Sequence, residues 1–209
     1  TANFSGAVTE IGGVRNLTKT GTGTLVLNAA AAYTGTTAIN QGTVVAGTDN
    51  VLSAGALTMG SGANVGTLNL NAGSQTVSSL TAQSNSSANS NTITIGAGES
   101  LNVNATTGNS LVVGVDPSDN TNSSTTTLIV SGAGSLSVTN TTGNMLIGVP
   151  VNPTTDNTAS NGNLDLTNLT GGFTYTATTG QLLIGTDTGS GSTAGTNPGN
   201  FLRLSNTTN

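Results

Sequence analysis

Carboxylates are the side chains in this 209-residue sequence that are best suited to catalysis or metal binding. The chain has no histidine and no cysteine, so the commonest general base, the commonest metal ligand and every thiolate are missing. Carboxylate catalysis on polysaccharides needs two acids that face one substrate. Only Asp116 and Asp119 lie close together in the sequence, and we therefore predict no enzymatic activity and no catalytic residue. The acids are Glu10, Asp49, Glu99, Asp116, Asp119, Asp156, Asp165 and Asp187.

One acidic segment has the oxygen-rich character that Ca²⁺ prefers, and it runs from Asp116 to Asn120. Asp156 and Asp187 lie in later loops and would add ligands if the loops stack. The segment is too short to identify a site, and Asp side chains that stabilise turns are the interpretation we favour. We predict no cofactor, and the calcium candidates are Asp116, Asp119, Asp156 and Asp187.

The basic residues are too few to bind a polyanion. Arg15, Lys19 and Arg203 stand against eight acids, which gives a formal net charge of -5. Nucleic-acid binding depends on clustered Lys and Arg that neutralise phosphates. No apolar run approaches the ~20 residues needed to cross a bilayer. We therefore expect no nucleic-acid partner and no membrane span in this chain.

Short strands are the elements that would position these groups. Charged residues are only 5% of the chain and aromatic residues 2%, so something other than a Leu/Phe core packed on helices must hold it together. The second half repeats strand, Gly turn, strand, Thr-Thr-Gly and strand at intervals of roughly 35 residues, a solenoid period. Within each copy apolar residues alternate with period two, as in strands with one buried face. The copies start at Asn91, Thr126 and Gly162, and their Thr-Thr-Gly sequences lie at 106–108, 141–143 and 178–180.

Like residues occupy like positions in the three copies, which indicates strands stacked about 4.8 Å apart in successive turns. We predict an all-β fold, a right-handed parallel β-helix with about three strands per turn. This register places Val103, Val138 and Tyr175 in one column and Asp165 beside Arg203. The predicted inward matches are Leu101/Val103 with Leu136/Val138 and Phe173/Tyr175, Leu111/Val113 with Met145/Ile147 and Leu182/Ile184, and Ile93/Ile95 with Leu128/Val130, Leu164/Leu166 and Leu202/Leu204.

The first part of the chain contains similar strand-like segments, but they recur at less regular intervals. Strand-like segments such as GTLVLN, GTVVAG and GTLNLN alternate apolar with polar or small residues. Over the whole chain we count about 18 strands, which corresponds to about six turns. We divide the chain into a β-helix at 1–90 and its continuation with the three repeats at 91–209.

Polar loops come after the same strand in each copy, at 116–125, 150–161 and 187–200. Stacking would bring the three loops out at one corner, and insertions of this sort commonly build the binding face of a repeat array. Solvated padding over a sheet corner is an equally good interpretation. The loops are the basis of our alternative function, an adhesive module that recognises a glycan or a protein.

The segment from 17 to 47, LTKTGTGTLVLNAAAAYTGTTAINQGTVVAG, resembles the passenger-associated transport repeat, also called the autotransporter-associated β-strand repeat. The resemblance rests on Leu17-Thr18-Lys19, Tyr33-Thr34-Gly35 and Gly42-Thr43-Val44 and on the glycines between them. The continuation at 53–82 is similar to the sequence that comes directly after that repeat in large bacterial surface proteins. The resemblance implies a secreted or surface-anchored bacterial β-helix, either a passenger region or an adhesin segment.

A structural role is therefore the leading expectation: an extracellular or cell-surface β-helix that forms part of a fibre, filament, surface layer or adhesin stalk. Neither end of the sequence shows a polar cap, and strand edges without a cap tend to pair. We therefore expect end-to-end stacking on more of the same polypeptide or on a second copy. A spacer that carries another domain is a further possibility.

Overall fold

The computed structural model describes residues 1–84, 89–115, 125–148, 161–185 and 201–204. In these residues the regular structure is all β. The strands are β1 (Ala2–Phe4), β2 (Leu17–Lys19), β3 (Thr24–Leu27), β4 (Thr37–Ile39), β5 (Gly42–Ala46), β6 (Ala56–Met59), β7 (Gly66–Leu70), β8 (Gln75–Val77), β9 (Ser79–Gln83), β10 (Ser90–Ile95), β11 (Ser100–Ala105), β12 (Leu111–Val115), β13 (Thr125–Ser131), β14 (Ser135–Asn140), β15 (Met145–Ile147), β16 (Asn161–Leu166), β17 (Phe173–Ala177), β18 (Leu182–Ile184) and β19 (Phe201–Leu204).

The strands form three sheets, and each strand pairs with its counterparts in the preceding and following turns of the chain. The first sheet has the order β1-β3-β5-β7-β10-β13-β16-β19, the second β2-β4-β6-β9-β12-β15-β18, and the third β8-β11-β14-β17. Every pairing between named strands that the structure describes is parallel. The chain is therefore a parallel β-helix, and the predicted fold is confirmed; its right-handed sense stays a prediction.

The coils differ in length between the two halves of the chain. Leu25 pairs with Val44 and Val44 with Leu68, which are 19 and 24 residues apart. Leu128 pairs with Leu164 and Leu164 with Leu202, which are 36 and 38 residues apart. Three strands per coil are present from β7 onward, whereas the earlier described coils contribute strands to two sheets only.

Irregular backbone forms the third side of the early coils. The Ala32 N–H donates to the Val8 carbonyl at 2.9 Å, and the Ala31 N–H donates to the Asn50 carbonyl at 2.8 Å. The Asn50 N–H in turn donates to the Ser74 carbonyl at 2.9 Å, directly before β8. These hydrogen bonds connect successive coils without a regular ladder, so the third side exists before the third sheet begins.

The core is a set of vertical columns of inward side chains. Alternate residues are buried along the strands, as in β13 and β14, because successive side chains point to opposite faces. The predicted column is confirmed: Val103 pairs with Val77 below and Val138 above, and Val138 pairs with Tyr175. The matches through β12, β15 and β18 are confirmed as well.

One predicted register is wrong by two residues. Ile93 pairs with Val130, not with Leu128, and Leu128 lies opposite Asn91. A shift of two residues keeps every side chain on its own face of a strand, so the alternation alone could not distinguish the two registers. Asn91 occupies the inward position and is fully buried.

The Thr-Thr-Gly sequences stack as a corner of the solenoid. The Thr178 N–H donates to the Asn140 carbonyl at 2.9 Å, and the Thr179 hydroxyl donates to the Thr141 carbonyl at 3.0 Å. Side-chain amides continue the stack just beyond the corner: Asn109 Oδ1 accepts from the Asn144 N–H at 3.0 Å. Asn144 Oδ1 then accepts from the Gln181 N–H at 2.9 Å. Each copy thus satisfies a main-chain donor of the next copy.

The predicted neighbours Asp165 and Arg203 are confirmed as a cross-strand pair. They are Cα partners in β16 and β19, with Arg203 Nη1 and Asp165 Oδ2 3.7 Å apart. The Arg203 guanidinium also lies 4.1 Å from the centre of the Phe201 ring. The pair is solvent-accessible, so it adds about 0 to 1 kcal/mol to stability, and its value is as a marker of register.

Candidate functional surfaces

The calcium candidates Asp116, Asp119, Asp156 and Asp187 lie outside the described residues, and their role stays a prediction. The same holds for nearly all of the three loops proposed as an adhesive face, at 116–125, 150–161 and 187–200. Within the part of the chain that the structure describes, no three acidic side chains are grouped so that they could hold a metal ion.

The acids within the described part each accept hydrogen bonds from neighbouring coils or turns. Ser74 joins two of them: its N–H donates to Asp49 Oδ1 and its hydroxyl donates to Glu99 Oε2, both at 2.8 Å. The Ser74 Oγ also accepts from the Ser100 N–H at 3.0 Å. Asp165 accepts from Thr167 next to its ion pair. The contacts of Ser74 connect coils at the corner before the third sheet.

Glu10 binds an N-terminal segment to the coil above it. Its Oε2 accepts from the Arg15 N–H and the Thr34 N–H, both at 3.0 Å, and its Oε1 accepts from the Thr34 hydroxyl at 2.8 Å. These hydrogen bonds, above all the one from the Thr34 main chain, lower the pKa of Glu10 below its ordinary value of 4.5. The ionised carboxylate is therefore part of the folded structure here.

Acid is expected to release this contact. Because the folded pKa of Glu10 is lowered, its contribution to stability is present above about pH 4.5 and is lost as pH falls through the folded pKa. Amide hydrogen exchange, corrected for intrinsic rates, should show the amides of Arg15 and Thr34 losing protection as pH falls through the folded pKa of Glu10. The Thr36 N–H is an internal control, because it donates to the neutral amide of Asn16 at 2.9 Å. Equal loss of protection at Thr34 and Thr36 would contradict the assignment.

The basic side chains are also engaged by the structure. Lys19 Nζ donates to three carbonyls, those of Thr20, Gly21 and Gln41, at 2.9, 2.6 and 3.0 Å. Arg203 pairs with Asp165 at the far end of the first sheet. Arg15 and Lys19 lie in or just before β2 near one end of the solenoid and Arg203 lies in β19 near the other, so the three described basic residues form no common patch.

Apolar side chains are exposed at the first and last coils. Phe4 in β1 is 51% exposed although its partner Leu27 is buried. Leu204 in β19 is 58% exposed and Ile184 in β18 is 40% exposed, while the residues they stack on are fully buried. These side chains occupy inward positions at the ends of the core columns, and they are exposed because no described coil covers them. We call the two surfaces the first-coil face and the last-coil face.

A groove lies on the third side of the solenoid, where β8 begins the third sheet. Its volume is about 800 Å³, and Tyr33, Thr34, Asn50, Leu52, Thr76 and Ser78 are among the residues that line it. The Tyr33 ring is buried and its hydroxyl lies 2.6 Å from the Thr37 hydroxyl. Sequence reasoning missed this groove, because it arises from missing strand structure rather than from a motif.

Comparison with known proteins finds a family match for one segment of this β-helix. The model of the passenger-associated-transport-repeat family matches residues 17–46, which confirms the resemblance predicted for that segment. The matched residues run from β2 to the end of β5 and so span two successive coils. No curated protein and no solved structure matches the chain significantly.

The structure explains why several motif residues of the repeat are of their particular types. A side chain at Gly35 would collide with the Arg15 carbonyl of the coil below, and Gly42 has a φ of 80° that disfavours other residues. Tyr33 and Thr37 share a buried hydrogen bond. The glycines of the repeat thus allow successive coils to lie in close contact.

No helix in the described residues is long and apolar enough to cross a bilayer.

Proposed function

We propose that the chain is a non-enzymatic segment of an extracellular or cell-surface β-helical rod, as in the passenger region of an autotransporter, and that further coils stack on its end faces. The observation that carries the proposal is the exposure of core-column residues on the first-coil and last-coil faces, with Leu204 at 58%. The regions 1–90 and 91–209 serve as one rod. A fibre, a filament, a surface layer and an adhesin stalk are all uses of such a rod.

The rod needs no cofactor or disulfide for its stiffness. Main-chain ladders connect each described coil to the next, and the columns of buried Leu, Val and Ile fill the interior. Unpaired strand edges favour addition of another strand, because they present free N–H and C=O groups. Stacking would therefore satisfy both the edges and the uncovered apolar side chains. The partner is another coil of the same polypeptide or a second copy of the chain.

A charge on the last-coil face is expected to block this stacking. Ile184→Asp places a carboxylate where the next coil would bury it, and an unpaired buried charge is strongly unfavourable. Thr176→Asp is the matched control, because Thr176 lies on the outward face of β17 in the same coil and is exposed. We expect the wild type and Thr176→Asp to associate with rising concentration in sedimentation velocity, and Ile184→Asp to stay dispersed.

Electron micrographs of the same three samples should show rods for the wild type and Thr176→Asp. Circular dichroism would confirm that Ile184→Asp is folded, which we expect because Ile184 is 40% exposed in the isolated chain. A wild type that stays monomeric at all concentrations, or an Ile184→Asp variant that associates as well as Thr176→Asp, would refute stacking of separate copies through the last-coil face.

A further inference from the structure

The groove on the third side is held open by the residues beneath it. Val51, Leu52 and Ser53 are buried in succession, so the chain turns inward under β8 instead of forming a strand. The Leu52 N–H donates to Gln75 Oε1 at 3.0 Å, and the Ser53 hydroxyl donates to the Gly35 carbonyl. Gln75 is an inward side chain with 1% exposure. The floor of the groove is therefore preformed by buried hydrogen bonds.

The upper wall of the groove is the edge of β8. The Ser74 carbonyl accepts from the Asn50 N–H at 2.9 Å, and the Ser78 N–H donates to the Gly55 carbonyl at 3.2 Å. Main-chain groups of alternate residues in a parallel strand turn to the same neighbour, so the Thr76 N–H and C=O turn toward the groove. One residue of edge cannot pair with an extended peptide, which needs several successive hydrogen bonds. The wall does offer one donor and one acceptor.

The side chains that line the groove are uncharged. Thr76 and Ser78 supply hydroxyls, Asn50 supplies an amide and three alanines supply apolar surface. The Ser53 hydroxyl is buried and already bonded to the Gly35 carbonyl, so it belongs to the floor. The nearby acid Glu10 already accepts hydrogen bonds from Thr34. A phosphate or a sulfated polymer would find no cation among these lining residues, and a lipid would leave the hydroxyls unpaired.

We propose that this groove binds a neutral saccharide. A sugar presents many hydroxyls together with apolar C–H surface, which matches the hydroxyl, amide and alanine surface of the groove. The volume of about 800 Å³ lies within the range of about 300 to 1,000 Å³ for small-molecule sites and suits two or three sugar units. The proposal does not depend on end-to-end stacking, because the groove lies on the side of the solenoid and not on an end face.

The test uses the ¹⁵N-labelled full chain, at a concentration below the onset of association, and a panel of trisaccharides. Cellotriose, maltotriose and triacetylchitotriose are the neutral probes, and trigalacturonate is the charged comparison. We expect at least one neutral probe to cause saturable shifts at the amides of Thr34, Thr76 and Ser78. Trigalacturonate is expected to cause much weaker shifts, because no lining residue carries a positive charge that could form an ion pair with its carboxylates.

Two variants locate the site. Ala54 is exposed in the groove, and Ala54→Trp should fill it and lower the affinity at least tenfold. Thr176→Trp is the matched control on the outward face of the same side of the solenoid, and it should bind as the wild type does. The proposal is overturned if no neutral probe gives saturable shifts in the groove, if Ala54→Trp binds normally, or if trigalacturonate binds equally well.

Discussion

Val103→Asp is expected to destabilise the folded chain severely. Val103 is fully buried in a column between Val77 and Val138, so an aspartate there would be an unpaired charge in an apolar interior. The cost of such a charge is about 3 to 5 kcal/mol, which is a large part of the stability of an ordinary domain. Parallel stacking makes the effect larger, because the side chain is enclosed by the coils above and below.

The neighbouring change Asn104→Asp is the control for this prediction. Asn104 lies on the outward face of the same strand and is exposed, so the new carboxylate stays in water. Urea unfolding followed by circular dichroism should give a free energy of unfolding within about 0.5 kcal/mol of the wild type for Asn104→Asp. Two variants of equal stability would mean that Val103 does not face the core.

The second large effect is expected at the corner where the Thr-Thr-Gly sequences stack. A Cβ atom at Gly143 would collide with the Gly108 carbonyl of the coil below, and one at Gly180 would collide with the Gly143 carbonyl. The obstruction is backbone, which cannot rotate away as a side chain can. Gly143→Ala should therefore separate two coils at the corner and lower the free energy of unfolding by about 3 kcal/mol.

Gly23→Ala separates this steric effect from the general effect of losing a glycine. A Cβ at Gly23 meets nothing within 4 Å, and Gly23 is not among the glycines with positive φ. We expect Gly23→Ala to be neutral or to stabilise by up to about 1 kcal/mol, because alanine restricts the unfolded chain. If Gly143→Ala unfolds at the same urea concentration as Gly23→Ala, the close stacking of the corners is wrong.

Regular alternation made most of the fold predictable from the sequence. In β11, β14 and β17 the inward residues repeat with the same spacing, and each pairs as predicted. The Asp165 and Arg203 pair was predictable for the same reason, because both residues occupy one position of consecutive copies. Equivalent residues of successive copies pair with one another, so the spacing of the sequence repeat predicts which strands and residues are neighbours.

Features without a repeating counterpart were not predictable. The register of Ile93 differs from the predicted one by two residues, a shift that leaves inward residues inward and outward residues outward. The buried Asn91 looks like a turn residue in the sequence. Its Oδ1 accepts from the Gly66 N–H at 2.9 Å and its Nδ2 donates to the Gln83 carbonyl at 3.2 Å, which is why an amide is tolerated in the core. Gln75 is another inward amide, and it shapes the groove that the sequence did not reveal.

Cysteine cross-linking tests the stacked parallel register most directly, because the native chain has no cysteine. Asn102 and Ser137 are outward partners in adjacent coils, so their Cα atoms should be about 5 Å apart and within disulfide range. Asn102→Cys/Ser137→Cys is expected to oxidise readily to an intramolecular disulfide. The off-register pair Asn102→Cys/Thr139→Cys should lie about 8 Å apart and oxidise poorly. Preferential oxidation of the second pair, or of neither, would contradict the parallel β-helix.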